Sequence, residues 1–214
     1  MSDRRLTPEL VLAAYAAGIF PMAETRNSPD VYWVDPQARG ILPLDGFHTS
    51  RSLAKRLRKS DYSVSLDTNI SGVLDACADR DDTWINATIH RLILALFESG
   101  HAHSIEVHTE GRLIGGVYGI ALGGAFFGES MFSRETDGSK IALAWLVDHL
   151  NRTDFVLFDT QFITPHLRSL GGIEISREDY KERLSRALQS DADFNKKSLE
   201  ADRQAVVQRM TQTS

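Results

Sequence analysis

Two acidic residues, Glu129 and Asp159, stand at the ends of apolar runs within the stretch from Gly115 to Gln161. Half-burial of a carboxylate at the end of an apolar strand costs free energy unless the group has a partner. Carboxyl groups in such surroundings often bind cations or transfer protons in active sites. We therefore take Glu129 and Asp159 as candidate functional residues. The alternative for each is a structural carboxylate that caps nearby backbone.

Glycine is concentrated just before the first of these acids. Seven of the fifteen glycines fall between Gly111 and Gly128. Glycine in a strand allows a ligand to approach the backbone closely, but it also allows bulges and tight strand packing. Both interpretations stay open at this point.

The elements that must position these acids follow from hydrophobic periodicity. The segments SIEVHT and RLIGGVYGIAL predict two strands, which the Glu110–Gly111 turn joins as a hairpin. The segments WINATIHRLILALFES and SKIALAWLVDHL predict core-facing helices, and DFVLFDTQ predicts a short buried strand. This order predicts an α/β fold whose mixed sheet has antiparallel and parallel pairings, the architecture of GNAT-like N-acyltransferases.

Composition divides the chain into three parts. Five of the six prolines fall before residue 48, which predicts a small irregular N-terminal lobe over residues 1–47, with short strands near Val31–Val34 and Gly40–Leu42. Residues 48–188 form the predicted GNAT-like catalytic domain. Residues 189–214 are polar, and we expect a tail that at most forms a loosely docked helix.

Length and charge limit the classes of function. A chain of 214 residues suits one main core. A formal net charge of −5 means that any nucleic acid must be bound by a local basic patch. The single cysteine, Cys77, excludes internal disulfide bonds and fits a reducing compartment. No apolar run reaches membrane-spanning length, so we expect a cytoplasmic protein.

The segment SRSLAKRLRK supplies such a basic patch on a predicted helix that Thr49 opens. Arg51, Lys55 and Arg58 or Lys59 fall along one helical face, whereas Leu53 points elsewhere. This face is either solvated or a stripe that binds phosphates.

Other chemistries find little support. His101 and His103 form an H-x-H pair without further metal ligands at a suitable spacing, and neither a nucleophile elbow nor a P-loop motif occurs. An acyl-CoA enzyme needs a glycine-rich turn whose amides hold the pyrophosphate at a helix start. The corresponding turn, Arg134–Lys140, has one glycine and two acids. An acyl-CoA-dependent N-acyltransferase of this fold is therefore the weaker alternative.

Several segments together resemble the leucyl/phenylalanyl-tRNA-protein transferases in order and spacing. The similarity covers Leu6 to Leu188 and rests on AYAAGIFPM, HTSRSLAKRLRK, HAHSIEV, GGVYGIA, GESMFSR, SKIAL, the DTQ at 159–161, His166 and SLGG. It implies transfer of leucine, with phenylalanine or methionine as candidate further donors, from aminoacyl-tRNA to proteins that begin with Arg or Lys. The product is marked for N-degron degradation. The resemblance implies no cofactor, no metal and no membrane.

The resemblance also implies roles for individual residues. Asp159 would remove the proton from the attacking amine and hold Gln161, whose carbonyl oxygen would accept from that amine. Glu129 would bind the α-amino group of the donor. An apolar pocket for the donor side chain would be formed by Val117, Phe126, Leu143, Leu146 and Leu150.

The tRNA would be bound by two further groups. Trp33 and Trp84 match tryptophans that the family uses near the terminal adenosine, where stacking stabilises a base. The phosphates of the acceptor stem would be contacted by the basic helix through Arg51, Lys55, Arg56, Arg58 and Lys59.

Overall fold

The computed structural model describes residues 6–28, 30–81 and 83–212. Its strands are β1 (Phe20–Ala23), β2 (Val31–Val34), β3 (Ala38–Ile41), β4 (Ser63–Leu66), β5 (Ala102–Thr109), β6 (Arg112–Leu122), β7 (Ala125–Ser133), β8 (Leu157–Gln161) and β9 (Ile173–Ser176). Its helices are α1 (Pro8–Ala16), α2 (Arg51–Leu57), α3 (Ile70–Ala78), α4 (Ala87–Glu98), α5 (Gly138–Arg152), α6 (Pro165–Ser169), α7 (Arg177–Ala187) and α8 (Arg203–Gln212).

The main sheet has seven strands in the order β4-β5-β6-β7-β8-β3-β9. Strands β7 and β8 are parallel, whereas the other neighbouring pairs are antiparallel. The predicted mixed sheet of a GNAT-like α/β fold is therefore confirmed. The parallel pair matters for function because it sets Phe127 opposite Asp159, so that Glu129, two residues further along β7, lies near the end of β8.

The predicted hairpin is confirmed in detail. Strands β5 and β6 pair from Thr109↔Arg112 to Ala102↔Ile120. Glu110 and Gly111 have φ angles of 52° and 76°. Two successive positive φ angles are those of a type I′ turn, whose twist matches that of the flanking strands.

The sheet is covered on both faces, so its middle strands are apolar on both sides. Helix α5 packs on one face, where Leu143 and Leu146 join the core. Helices α3 and α4 cover the other face with residues such as Val73 and Leu92. None of the helices in the described ranges is long and apolar enough to cross a bilayer.

The strands predicted near Val31 and Gly40 are confirmed, but they belong to different sheets. Strands β1 and β2 form a separate two-stranded ribbon, whereas β3 lies inside the main sheet between β8 and β9. The division of the chain at residue 47 stays a prediction, and residues 1–5 and 29 of the predicted lobe lie outside the described residues.

The C-terminal helix is present as α8, but the expectation that it is loosely docked is wrong. Val206, Val207 and Met210 of α8 are buried in the core, and α8 packs against α5. Before this helix, the ring of Phe194 stacks on His103 with centroids 4.0 Å apart. Residues 189–214 are polar on average, so their composition did not predict that a few apolar residues would lie together on the buried side of α8. Residues 213–214 lie outside the described ranges.

Candidate active site

A cavity of about 300 Å³ opens where β7, β8 and α6 meet α5. Its wall combines an apolar part from several elements with a polar part that includes the middle of β7 and the end of β8. The residues that line it are Arg80, Trp84, Val117, Gly128, Glu129, Ser130, Met131, Leu143, Phe158, Thr160, Gln161, Phe162, Thr164, His166 and Leu167.

Glu129 is partly exposed on this wall and is held by two donors. Its Oε1 accepts a hydrogen bond from the Tyr15 hydroxyl at 2.7 Å and another from Gln161 Nε2 at 3.0 Å. The other oxygen, Oε2, accepts no hydrogen bond from the residues that the structure describes. Because Oε1 is already occupied, Oε2 is the oxygen available to a ligand.

The Glu129 carboxyl group is a weaker acid than an ordinary glutamic acid side chain. Burial raises the pKa of Glu129 to about 7, and the hydrogen bond from Tyr15 opposes that rise. The negative charge of Asp159 adds to the rise. A carboxyl group of this kind changes its ionisation near neutral pH, which is a common property of functional sites.

Asp159 lies behind the wall and is not exposed. Its carboxylate accepts hydrogen bonds from Arg39 Nε at 2.9 Å, Arg39 Nη2 at 2.6 Å and the Tyr180 hydroxyl at 2.7 Å. The backbone N–H of Gln161 donates to Asp159 Oδ1 at 2.8 Å. Asp159 does not line the cavity. Its position therefore does not match the proton-accepting role expected from the sequence.

Gln161 connects the two acids. The register between β3 and β8 shifts at this point, because Gly40 faces Gln161 whereas Ile41 faces Asp159. Gln161 has a φ of 58°, a backbone conformation that costs about 1–2 kcal/mol for a residue with a side chain. A bulge of this kind redirects a side chain, and here it allows the backbone of Gln161 to bond Asp159 while its side chain bonds Glu129.

The orientation of the Gln161 amide follows from its partner. If the amide were reversed, its carbonyl oxygen would face the Glu129 carboxylate, and two acceptors would be in contact. The Nε2 group therefore donates to Glu129, and the carbonyl oxygen of Gln161 is left for the cavity.

The predicted apolar pocket is only partly present at the cavity. Val117 and Leu143 line it. Phe126, Leu146 and Leu150 are buried in the core and do not line the cavity. Phe126 packs edge-to-face on Phe158, which does line it, with ring centroids 5.6 Å apart. The three leucines share one face of α5, but they are spread along its axis: at a rise of about 1.5 Å per residue, Leu150 lies roughly 10 Å beyond Leu143, and only Leu143 reaches the cavity.

The apolar wall also contains residues that sequence reasoning missed. They come from β7, β8, the segment that follows β8, and α6: Met131, Phe158, Phe162 and Leu167. The one signal in the sequence was that Phe162 follows DTQ directly. In the structure Phe162 is 46% exposed, which is unusual for a large aromatic residue.

The two tryptophans lie in different places. Trp84 lines the cavity. Trp33 is on β2, is 39% exposed and is not part of the cavity wall. Their shared role near one nucleotide stays a prediction.

Several polar residues at the site were not predicted from the sequence. Arg39, Tyr15 and Tyr180 hold the acids from behind. Arg80 lies on the cavity wall and donates to Ser130 Oγ at 2.7 Å and to the Met131 carbonyl at 3.1 Å. The available signal for Arg39 was a charged residue in an otherwise apolar strand.

The basic segment forms α2 as far as Leu57, with Ser50 rather than Thr49 as its N-cap, and Arg58 and Lys59 follow the helix. Leu53 and Leu57 are buried, whereas four basic residues are exposed: Arg51, Lys55, Arg58 and Lys59. Arg56 differs. Its Nη1 lies 2.5 Å from Asp61 Oδ1, and its guanidinium lies 4.9 Å from the centre of the Tyr62 ring. Arg56 therefore already has an acidic partner.

The start of α5 shows why an acyl-CoA pyrophosphate is not accommodated there. Gly138 N donates to the Glu135 carbonyl and Ser139 N donates to Ser133 Oγ, both at 3.1 Å. A Cβ on Gly115 would lie 2.4 Å from the Gly138 carbonyl carbon, so the helix start is pressed against β6. These amides are occupied within the protein, in contrast to those of an anion-binding helix N-terminus.

His103 of the H-x-H pair is held by contacts within the protein. His103 Nδ1 lies 2.7 Å from Asp67 Oδ2, and the imidazole stacks on Phe194. Across the described residues, no group of three or more His, Cys, Asp or Glu side chains is arranged to hold a metal ion.

Comparisons with solved structures support the fold. The chain is similar to a crystal structure of FemX, with a TM-score of 0.54 and 12% sequence identity over 78% of this chain and 66% of that chain. At this identity the likeness concerns the fold alone.

Comparisons of sequence go further. Relatives named leucyl/phenylalanyl-tRNA–protein transferase are 59% identical in Cereibacter sphaeroides, over 100% of both chains, and 61% identical in Ruegeria pomeroyi, over 98% of this chain and 99% of the relative. Residues 4–37 match the N-terminal domain described for leucyl/phenylalanyl-tRNA protein transferases, and residues 41–185 match the description leucyl/phenylalanyl-tRNA protein transferase. Since both parts of the family match and relatives over nearly the full length reach 59% and 61% identity, the chain belongs to the leucyl/phenylalanyl-tRNA protein transferase family.

Proposed function

We propose that this protein transfers leucine, with phenylalanine or methionine as candidate further donors, from aminoacyl-tRNA to the α-amino group of proteins that begin with Arg or Lys. One observation carries the proposal beyond family membership. A carboxylate with one unoccupied oxygen, Glu129 Oε2, lies on the wall of an otherwise largely apolar cavity. Such a site fits an apolar amino acid whose α-ammonium group is free.

The donor is bound through both of its parts. The ammonium group of the aminoacyl ester contacts Glu129 Oε2, which distinguishes an aminoacyl ester from a simple acyl ester. The side chain enters the apolar part of the cavity beside Val117, Leu143 and Met131. The terminal adenosine stacks on Trp84, with Trp33 as the second predicted aromatic contact.

The chemical step is an aminolysis. The neutral α-amine of the acceptor attacks the ester carbonyl carbon, a C–N bond forms, and the C–O bond to the 3′ oxygen of the tRNA breaks. The amine loses a proton and the departing oxygen gains one. An α-amino group has a pKa of about 7.7–8.0, so a useful fraction is already nucleophilic at neutral pH. The protein mainly has to position the two substrates.

Gln161 orients the acceptor, because its carbonyl oxygen can accept a hydrogen bond from the attacking amine. A side-chain amide is too weak a base to keep the proton. Asp159 acts from behind the wall by holding the Gln161 backbone, and Arg39 holds Asp159 in turn.

The acceptor stem of the tRNA lies on α2. The exposed cations Arg51, Lys55, Arg58 and Lys59 contact its phosphates, whereas Arg56 is directed toward Asp61 and Tyr62. Since the chain has a net charge of −5, this local patch supplies the attraction that the whole molecule does not. The reaction takes place in the cytoplasm, where charged tRNA is available, and its products are marked for N-degron degradation.

The proposal is tested by incubating the protein with radiolabelled leucyl-tRNA and a peptide that begins with arginine. We expect label to enter the peptide, and we expect none with the same peptide acetylated at its N-terminus. The Glu129→Gln variant should lose at least about a hundredfold in transfer, because it cannot offer a charged oxygen to the donor ammonium. No transfer from leucyl-tRNA, together with acetylation of amines by acetyl-CoA, would replace this proposal by the acyl-CoA alternative.

A further inference from the structure

A tyrosine outside the cavity is bonded to the carboxylate that faces it. Tyr15 is the penultimate residue of α1, is fully buried, and donates its hydroxyl to Glu129 Oε1 at 2.7 Å. Its ring is fixed by packing on Phe127, with centroids 4.7 Å apart. The contact joins residues 114 positions apart in the chain, so it ties the first helix to the middle of β7.

This contact decides which oxygen of Glu129 is left for a ligand. With donors from Tyr15 and Gln161, Oε1 has its full complement of hydrogen bonds, and the carboxylate plane is set by two separate elements. Oε2 then faces the cavity in one orientation. Pre-organisation of this kind removes the cost of ordering a side chain when the substrate binds.

The hydroxyl also favours the charged form of Glu129. A donor to an ionised carboxylate stabilises it over the neutral acid. Burial keeps the pKa of Tyr15 well above its usual value, so the hydroxyl stays protonated and remains a donor. In a site where burial disfavours the carboxylate, this is the main opposing contact.

We propose that Tyr15 is a positioning residue for the aminoacyl donor, acting through Glu129 by fixing its Oε2 toward the cavity and by favouring its charged form. The inference rests on the proposed function. The inference goes beyond the proposed function because it assigns part of the recognition of the aminoacyl donor to the first helix, outside the cavity wall.

The other groups that face Glu129 supply the control. Asp159 and Gln161 reach it from β8, Arg39 from β3 and Tyr118 from β6. Tyr118 is as deeply buried as Tyr15, but its hydroxyl makes no hydrogen bond to any residue that the structure describes. Tyr118→Phe therefore removes a buried hydroxyl near Glu129 without removing a bond to it.

The test compares Tyr15→Phe with Tyr118→Phe. The affinity for a stable aminoacyl-adenosine, in which an amide replaces the ester, is measured by calorimetry between pH 5.5 and 9. Affinity should fall at acid pH as Glu129 is protonated, and this fall is the acid limb of the plot of affinity against pH. Without the hydrogen bond from Tyr15, the midpoint of the acid limb should lie about one pH unit higher in Tyr15→Phe than in the wild type. At pH 6.5 this corresponds to roughly tenfold weaker binding, with a smaller change at pH 8.5. Tyr118→Phe should keep the wild-type limb.

Two further variants separate this idea from a general loss of structure. In the Glu129→Gln background, Tyr15→Phe should move no acid limb, because the titrating group is gone. An equal loss of affinity at every pH in Tyr15→Phe, or an identical shift in Tyr118→Phe, would overturn the inference. If wild-type protein transfers leucine and Glu129→Gln does not, an unshifted Tyr15→Phe profile rejects only the role of Tyr15. If wild-type protein transfers nothing, the proposed function fails first.

Discussion

Arg39 and Asp159 form a bidentate ion pair in the interior of the protein. Arg39 Nε lies 2.9 Å from Oδ1 and Nη2 lies 2.6 Å from Oδ2, and both residues are at most 1% exposed. The guanidinium also lies 4.3 Å from the centre of the Tyr180 ring. Because Asp159 in turn holds the Gln161 backbone, this pair between β3 and β8 supports the polar end of the cavity.

Breaking that pair on one side should destabilise the protein strongly. Asp159→Asn and Arg39→Met each leave a buried charge without its partner, which costs about 3–5 kcal/mol. Unfolding in urea measures the change in free energy. The surface pair of Arg168 and Glu174 is the control, and Arg168→Ala should cost less than about 1 kcal/mol. An Asp159→Asn variant within 1 kcal/mol of the wild type would show that the pair contributes little.

Glu129 should reduce stability above neutral pH. Its folded pKa of about 7 is higher than the ordinary value of 4.5, so the contribution of its neutral form to stability is complete below pH 4.5 and is lost as the pH rises to about 7. Glu129→Gln removes this loss. We therefore expect the variant to melt roughly 4–8 °C above the wild type at pH 8, on the order of 2 kcal/mol, and at nearly the same temperature at pH 4.5.

The control for this pH effect is Glu174→Gln, on the exposed end of the surface pair. Its melting difference should not grow with pH. A Glu129→Gln variant that is less stable at pH 8 than at pH 4.5, relative to the wild type, would contradict the raised pKa. A carboxylate kept for function at a cost in stability is the usual compromise of an active site.

Leu143 should set which donor side chain fits. Both Leu143 and Leu146, about one turn later on α5, are buried, but only Leu143 lines the cavity. Replacing either by alanine costs about 2–5 kcal/mol of stability. Only Leu143→Ala enlarges the cavity, so it should raise the ratio of phenylalanyl to leucyl transfer about tenfold. The measurement is kcat/KM with the two charged tRNAs, and an equal change of the ratio in Leu146→Ala would show that the cavity has been misplaced.

Much of the fold could be predicted from local pattern. Glu110 and Gly111 predict a hairpin turn because few residues tolerate positive φ, and the apolar stripes of α4 and α5 require a sheet to pack against. The docking of α8 could not be read in this way. Its few buried residues acquire meaning only when α5 lies beside them.

The site was predictable in part for a similar reason. Glu129 and Asp159 stood out as acids in apolar surroundings, and the resemblance added Gln161. The partner of Asp159 did not stand out, because Arg39 lies 120 residues earlier and only the sheet order brings β3 beside β8. Likewise, helical spacing groups Leu143 with Leu146 and Leu150, but it does not show which of them reaches the cavity.

Helix α2 allows the tRNA contact to be tested with a control on the same helix. Replacing Lys55 or Arg58 by alanine removes an exposed cation, whereas Arg56→Ala removes one already paired with Asp61. Each lost phosphate contact should reduce the slope of log affinity against log salt by about 0.7–0.9. We expect this change for Lys55→Ala and Arg58→Ala in filter binding of leucyl-tRNA between 50 and 300 mM salt, and a clearly smaller one for Arg56→Ala. The stability of Arg56→Ala should fall instead, because its guanidinium covers the Tyr62 ring. An unchanged slope in Lys55→Ala and Arg58→Ala would mean that the acceptor stem is bound elsewhere on the protein.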